Sequence, residues 1–233
     1  MTFEGFPVET FRYLTDLTLH NDKSWFDANR KRYESLYLAP AIALIEVLGP
    51  RLQSELPGDV QYEARVNGSL FRINRDLRFS KDKTPYKNHI DMWFWQGGRK
   101  GWASPGYYMR LLPDLMILGA GMHQFGKADL DAFRHAVVDE VLGTRLVETV
   151  TKVEKAGPYA IGGESRKKVP RGFDADHPRA GFLLHEGLHA TLEQPVPPEA
   201  HGAGFVDYCL AHYKAMSPIN AWLSEVMRAV PDG

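Results

Sequence analysis

The sequence is poor in cysteine, and its single thiol, Cys209, excludes a fold held together by disulfides. It also lacks an uninterrupted apolar run of about 18 residues, the length that a membrane-spanning helix requires. The best stretch, residues 38–48, is interrupted by Pro40 and Glu46. Residues 1–6 carry no export or lipidation pattern. We therefore expect a cytoplasmic protein that has no disulfides and no membrane partner.

The remaining composition is typical of a globular protein. The chain has 233 residues, of which 44% are hydrophobic and 24% are charged, and this suffices for one large domain or two small ones. No internal repeat, low-complexity tract or linker-like stretch divides it. We expect a single domain over residues 1–233.

Charge is distributed unevenly, although the formal net charge is only −1. Residues 65–87 carry a net charge of +5 and residues 161–173 carry +3, so the rest of the chain carries −9. Cations concentrated in this way predict either two exposed basic loops or one basic site assembled from both segments. The sequence leaves both alternatives open.

The spacing of apolar residues predicts an α+β fold. Helical periodicity near the two ends of the chain encloses a region in which the period changes to two, as in a half-buried strand. The predicted regions are helical 7–57, sheet 62–122, helical 129–155, mixed 159–198 and helical 204–230, the last as two helices over 204–216 and 218–230. We expect a central antiparallel sheet with the N-terminal and C-terminal helices packed on it.

Within the predicted sheet, alternation indicates four strands. They cover residues 71–79, 88–95, 106–112 and 115–121. The last two are expected to form an antiparallel hairpin that turns at Pro113-Asp114. Asp22 and Asp129 are placed to cap helices.

The densest functional chemistry lies in residues 72–87, which read RINRDLRFSKDKTPYK. Arginine presents a planar fork of donors that matches phosphate and carboxylate oxygens, and lysine adds a mobile point charge. In this hypothesis Asp76 orients a neighbouring guanidinium and Tyr86 adds a directional hydrogen bond. The sequence thus predicts a site for a small phosphorylated or carboxylated ligand. The predicted ligand-binding residues are Arg72, Arg75, Asp76, Arg78, Lys83 and Tyr86.

A second interpretation of the same residues is structural. Arg75 with Asp76, and the lysines beside Asp82, would then form ion pairs that stabilise the fold, and the protein would act through protein partners. No nucleophile, metal cluster or acid–base pair in the sequence assigns a reaction. No cofactor is predicted.

The motif also carries a resemblance to a known family. The pattern R-x-x-R-D-x-R-F-x-x-D-K-x-x-Y, formed by residues 72–86, resembles the signature of a bacterial family called domain of unknown function 2461. Similar features are Asn21 with Trp25-Phe26 and Tyr33, Pro105-Gly106-Tyr107-Tyr108, Gly119 to Gly121, and Pro170-Arg171-Gly172-Phe173 with Asp176-His177-Pro178. The resemblance spans nearly the whole chain. It implies no activity, but it implies that the motif is the place to look for function.

Residues 185–189 read HEGLH, which on a helix would be a zinc-hydrolase pattern. Gly187 opposes this interpretation, because glycine costs about 1 kcal/mol in a helix interior. Prolines follow from Pro195, and no third ligand stands at a familiar spacing. We predict no metal site, and a zinc hydrolase is a less favoured alternative.

Two further constellations have ordinary explanations. Cys209 and His212 could pair a thiol with a base on a helix, but Cys209 shares its stripe with Phe205, so a core cysteine is favoured. Aromatic residues around Trp93 and Trp95 could stack nucleic-acid bases, but sheet cores use the same residues and the whole chain is not basic. Nucleic acid is not an expected partner.

Overall fold

A computed structural model describes residues 2–78, 80–98 and 101–228 of the protein. In this part of the chain, six helices accompany a six-stranded sheet in which neighbouring strands run antiparallel, in the order β1-β2-β3-β4-β6-β5. The strands are β1 (Val60–Gln61), β2 (Ile90–Gln96), β3 (Gly106–Leu111), β4 (Leu115–Met122), β5 (Ala160–Glu164) and β6 (His185–Pro195). The predicted α+β fold is confirmed.

The helices form close to the predicted positions. They are α1 (Val8–Leu19), α2 (Lys23–Ala28), α3 (Arg30–Glu55), α4 (Lys127–Val138), α5 (Glu140–Ala156) and α6 (Phe205–Met227). A π-helical segment, Tyr33–Leu38, interrupts the regular geometry of α3. The predicted cap of α2 is confirmed, because the Asp22 carboxylate accepts a hydrogen bond from the Trp25 N–H at 2.9 Å.

By length and composition alone, α3 could cross a membrane, with a mean hydropathy of 1.3 over its best window. Core helices of soluble proteins have the same properties. The apolar residues Leu44, Ile45, Leu48 and Leu52 have no exposed surface in this structure. These four residues therefore pack inside the protein, and 39% of the apolar window is buried in this structure.

The two faces of the sheet differ in character. On β3, Tyr107 and Met109 are fully buried, whereas Tyr108 and Arg110, which point the other way, are partly exposed. The buried face packs on α6, which contacts β4 and β6. Strand register assigns the other face, which we call the outer face, to Asp91, Trp93, Tyr108, Arg110, Ile117, Gly119, Gly121, His189 and Thr191.

The predicted strand over 71–79 is wrong for the residues described, and Phe79 lies outside them. Residues 71–78 form an extended loop whose β-pairing with the returning chain is one isolated bridge, between Asn74 and Tyr86. The side chain of Asn21 clamps the Tyr86 backbone with two hydrogen bonds, of 2.9 and 3.0 Å. The alternation is real, but Arg75 interrupts the apolar side, so this segment lacks the continuous apolar face of a strand.

Three further predictions need correction. The sheet extends beyond the predicted residues 62–122, because β1 and the strands β5 and β6 of the mixed region 159–198 also belong to it. The two predicted C-terminal helices are one helix as far as Met227. Pro218 has no N–H to donate to the Lys214 carbonyl, and the Ser217 hydroxyl donates to that carbonyl instead. Ala229 and Val230 lie outside the described residues. Asp129 is not a cap, since α4 begins at Lys127 and places this carboxylate inside its first turn.

Candidate functional site

Arg75, at the centre of the basic motif, points into its own loop. Its guanidinium donates to the Asp82 carboxylate, to the hydroxyl and carbonyl of Thr84, and to the Ser80 hydroxyl. The side chain is 26% exposed. These bonds tie the two arms of the loop together. The carboxylate partner of Arg75 is Asp82, whereas the structural interpretation of the sequence had paired it with Asp76.

The other predicted ligand residues lie in separate surroundings. Arg78 pairs with Asp76 two residues away, and this ion pair is exposed, with 77% and 46% of the side chains accessible. The hydrogen bonds from Arg78 hold the pKa of Asp76 at about 2. Lys83 donates to the Leu77 carbonyl at 3.0 Å. Tyr86 is buried, and its ring stacks on Phe26 with 4.1 Å between centroids.

Arg72 alone of the predicted set faces a different group of charges, on the outer face of the sheet. The centre of that group is Asp91 on β2, whose side chain is only 4% exposed. It accepts hydrogen bonds from Nε of Arg110 and from the Tyr108 hydroxyl, both at 2.7 Å. His89 Nε2 and Lys87 Nζ lie 3.1 and 3.5 Å from its other oxygen.

This arrangement perturbs the acidity of its members. Burial alone would raise the pKa of Asp91, but the hydrogen bonds from His89 and Arg110 outweigh it and hold the pKa well below its ordinary value. Burial, together with the adjacent carboxylate, raises the pKa of Tyr108. Asp91 is therefore an ionised carboxylate that orients several donors around it, the role that the sequence assigned to Asp76.

Two cavities lie over the outer face and share Tyr108 and Arg110 in their linings. One has a volume of about 400 Å³, and its charged lining residues are Arg72, Lys87, Asp91 and Arg110. The other has a volume of about 430 Å³ and lies over strands β4 and β6, with Gly119 and His189 among its lining residues. We call the two together the outer-face groove. Its size lies within the range of small-molecule sites, roughly 300–1,000 Å³.

A cavity of about 510 Å³ lies elsewhere, between the β2–β3 connection and the end of α6. Its described lining is mostly small or glycine residues, and only Asp59 and Arg228 in it are charged. The outer-face groove is smaller in each of its parts, but it is the one where buried charge and perturbed pKa values coincide.

Two histidines mark the far end of the groove. The rings of His123 and His189 lie 5.4 Å apart between centroids. Burial, with the neighbouring His123 as a second cause, lowers the pKa of His189 to about 4. His189 is therefore a neutral imidazole near pH 7.

The zinc-hydrolase pattern does not form its usual geometry. Residues 185–189 belong to strand β6, so His185 and His189 share one face while Glu186 points to the other. The Glu186 carboxylate accepts hydrogen bonds from the Ser165 hydroxyl and from the Arg166 guanidinium. No group of three or more potential metal ligands occurs among residues 2–78, 80–98 and 101–228.

Cys209 is fully buried, and burial raises the pKa of its thiol well above the ordinary value. Its interpretation as a core residue is confirmed.

The basic segment 161–173 begins in β5, at the opposite edge of the sheet from the loop that follows residue 65. With roughly 4.8 Å between neighbouring strands, β2 and β5 stand about 19 Å apart across the sheet.

The sequence reasoning missed Asp91 and Arg110. Each is an isolated charge in an apolar strand, within Ile90-Asp91-Met92 and Met109-Arg110-Leu111. Buried charges are nearly always paired, so two lone charges of opposite sign in successive strands were a usable signal. Their pairing depends on the register between β2 and β3, which sets Asp91 opposite Arg110.

Fold and groove together define an α+β protein whose single antiparallel sheet carries a polar groove on its outer face. The chain belongs to the family described as conserved hypothetical protein (DUF2461), whose family model matches residues 9–222. The match confirms the family resemblance of the sequence. No curated protein matches the chain.

Proposed function

We propose that the protein binds a small organic anion, a phosphate ester or a carboxylate, at the cationic end of the outer-face groove. Arg72, Lys87 and Arg110 would contact the anionic group, and Asp91 would hold the last two in place. The observation that carries the proposal is the charge of the cavity lining, where three basic side chains meet one carboxylate.

The geometry around Asp91 supports this assignment. Arg110 uses Nε and Nη2 on the carboxylate, so Nη1 takes part in neither bond, and 35% of the side chain is accessible. Lys87 is 23% exposed and lies over the Phe71 ring, 5.2 Å from its centroid. Cations held in this way lose little conformational entropy when an anion binds.

The residues of the basic loop have a different role in this proposal. Arg75 and Lys83 use their donors on the loop itself, which supports the structural interpretation for them. The loop would then position Arg72 at the rim of the groove. A small molecule is a better match than nucleic acid, because the formal net charge of the chain is −1. A cytoplasmic location is part of the proposal.

The test is the binding of inorganic phosphate, measured by calorimetry at constant ionic strength. We expect Arg72→Gln and Lys87→Gln each to weaken binding by about tenfold or more, the effect of losing one charge-assisted hydrogen bond. Arg78→Gln is the matched control, since it removes the same charge from the same loop but away from the groove, and it should bind as the wild type does.

Two results would overturn the proposal. One is the absence of phosphate binding to the wild type at millimolar concentrations. The other is an equal loss of affinity in the Arg72 and Arg78 variants, which would indicate general electrostatic attraction. The thermal midpoint of each variant without phosphate shows whether the fold is intact.

A further inference from the structure

The floor of the second half of the groove is strand β4, where Gly119 and Gly121 follow Ile117 and have no side chains. Gly119 on β4 lies opposite Tyr108 on β3 and opposite Thr191 on β6. Trp93 completes the wall on the Tyr108 side, and His189 continues the wall on the Thr191 side. The floor is therefore one strand wide, with an aromatic wall on one side and polar groups on the other.

Gly119 differs from the other glycines of this region in one respect. A Cβ added to Gly106 or Gly187 would lie 2.4 or 2.1 Å from a backbone oxygen, so packing demands glycine at these positions. Gly121 has a φ of +134°, which itself favours glycine. At Gly119 the nearest atom to an added Cβ would be 3.4 Å away, an ordinary contact.

Packing thus gives no reason for glycine at position 119, although glycine weakens a strand through its conformational freedom. The groove offers a reason for glycine at position 119, because a missing side chain allows a ligand to approach the backbone closely. The walls suit a flat apolar group, since Tyr108 and Trp93 offer aromatic contacts and His189 is uncharged near pH 7.

We infer that the ligand of this groove is an aryl anion, with its phosphate or carboxylate at Arg72, Lys87 and Arg110 and its ring over Gly119. This inference rests on the proposed function and adds the chemical class of the ligand. Tyr108 and Arg110 line both halves of the groove, so one molecule can occupy the two together.

The experiment compares phenyl phosphate with methyl phosphate, which have the same charge and differ in the ring. In the wild type we expect phenyl phosphate to bind at least about tenfold more tightly, the gain from burying one ring against aromatic walls. In Gly119→Val the ratio of the two affinities should fall towards one, because the branched side chain occupies the floor. Valine is also a favourable residue in a strand.

A matched control is Gly181→Val, at a position where nothing lies within 4 Å of an added Cβ and which lines neither half of the groove. It should keep the wild-type ratio. If Gly119→Val fails to fold, Gly119→Ala adds one methyl group at the same place and should lower the ratio by a smaller amount.

The outcomes separate the inference from the proposed function. Equal affinities of the two esters for the wild type would overturn the inference and leave anion binding intact. A ratio that persists in both Gly119 variants would place the ring elsewhere and also overturn it. Failure of both esters and of inorganic phosphate to bind would overturn the proposed function itself.

Discussion

Two arginine–aspartate pairs of this protein differ in almost every physical respect. Arg78 and Asp76 are neighbours in the chain, and both are largely exposed. Arg110 and Asp91 come from adjacent strands, and the Asp91 side chain is 4% exposed. The first pair lies on an exposed loop, whereas donors from Tyr108, His89 and Lys87 also surround the second carboxylate.

The difference shows that a dense run of charges does not by itself define a site. Charges close in sequence pair locally on an exposed loop, where water screens them and each pair contributes little. Charges assembled across strands are desolvated, so their fields are stronger and their geometry is fixed. The perturbed groups of the groove belong to this second kind.

Removing each carboxylate gives the largest contrast. Asp91→Ala leaves the buried end of Arg110 without its counter-ion, and we expect a loss of about 3 to 5 kcal/mol in the free energy of unfolding. Asp76→Ala should leave the denaturation midpoint close to that of the wild type. Urea denaturation at pH 7 measures both, and equal shifts for the two variants would contradict the contrast.

The pH dependence of stability should reveal His189. Its pKa is about 4 in the folded protein and near 6.5 when unfolded, so the unfolded chain takes up the proton first as the pH falls. This group costs no stability above pH 6.5 and up to about 3 kcal/mol by pH 4. His189→Gln should therefore lose less stability than the wild type between pH 6.5 and 4. Parallel curves would show that this imidazole is not desolvated.

A smaller change tests the hydrogen bonds to Asp91. Tyr108→Phe removes one donor to a buried carboxylate, and we expect it to lower the free energy of unfolding by about 1.5 to 3 kcal/mol. Tyr62→Phe is a suitable comparison, because it makes the same chemical change on a partly exposed ring outside the groove. Urea denaturation measures the free energy of unfolding of both variants, and we expect the larger loss for Tyr108→Phe. A larger loss for Tyr62→Phe would count against the role of Tyr108.

The smallest effect is local. Arg75→Gln removes the bonds that join the two arms of the basic loop, so we expect faster trypsin cleavage at Lys81 and Lys83 with little change in global stability. Arg78→Gln should leave the cleavage rate at these lysines nearly unchanged. Identical rates in the two variants would mean that Arg75 does not hold the loop.

Local chemistry allowed much of the fold to be predicted. The hairpin of β3 and β4 and the cap at Asp22 follow from short-range patterns, and both are present. The strand β6 was missed because Gly187 and nearby prolines obscure its alternation. The extent of a single domain stays a prediction.

The site was harder to predict, for a physical reason. Arg72 belongs to the predicted set and lines the groove, but Asp91 and Arg110 meet only through the register of two strands. Sequence spacing indicates which residues are neighbours along the chain. The Asp91 carboxylate on β2 instead accepts its shortest hydrogen bonds from Tyr108 and Arg110 on β3. The resemblance to the family directed attention to the loop beside the groove.

The most direct test of the account is a phosphate titration followed by the backbone amide resonances of the labelled protein. If the anion binds in the outer-face groove, the largest shift changes will occur at Arg72, Lys87, Tyr108 and Arg110. Changes confined to residues 75–83 would contradict the account and place the anion on the basic loop.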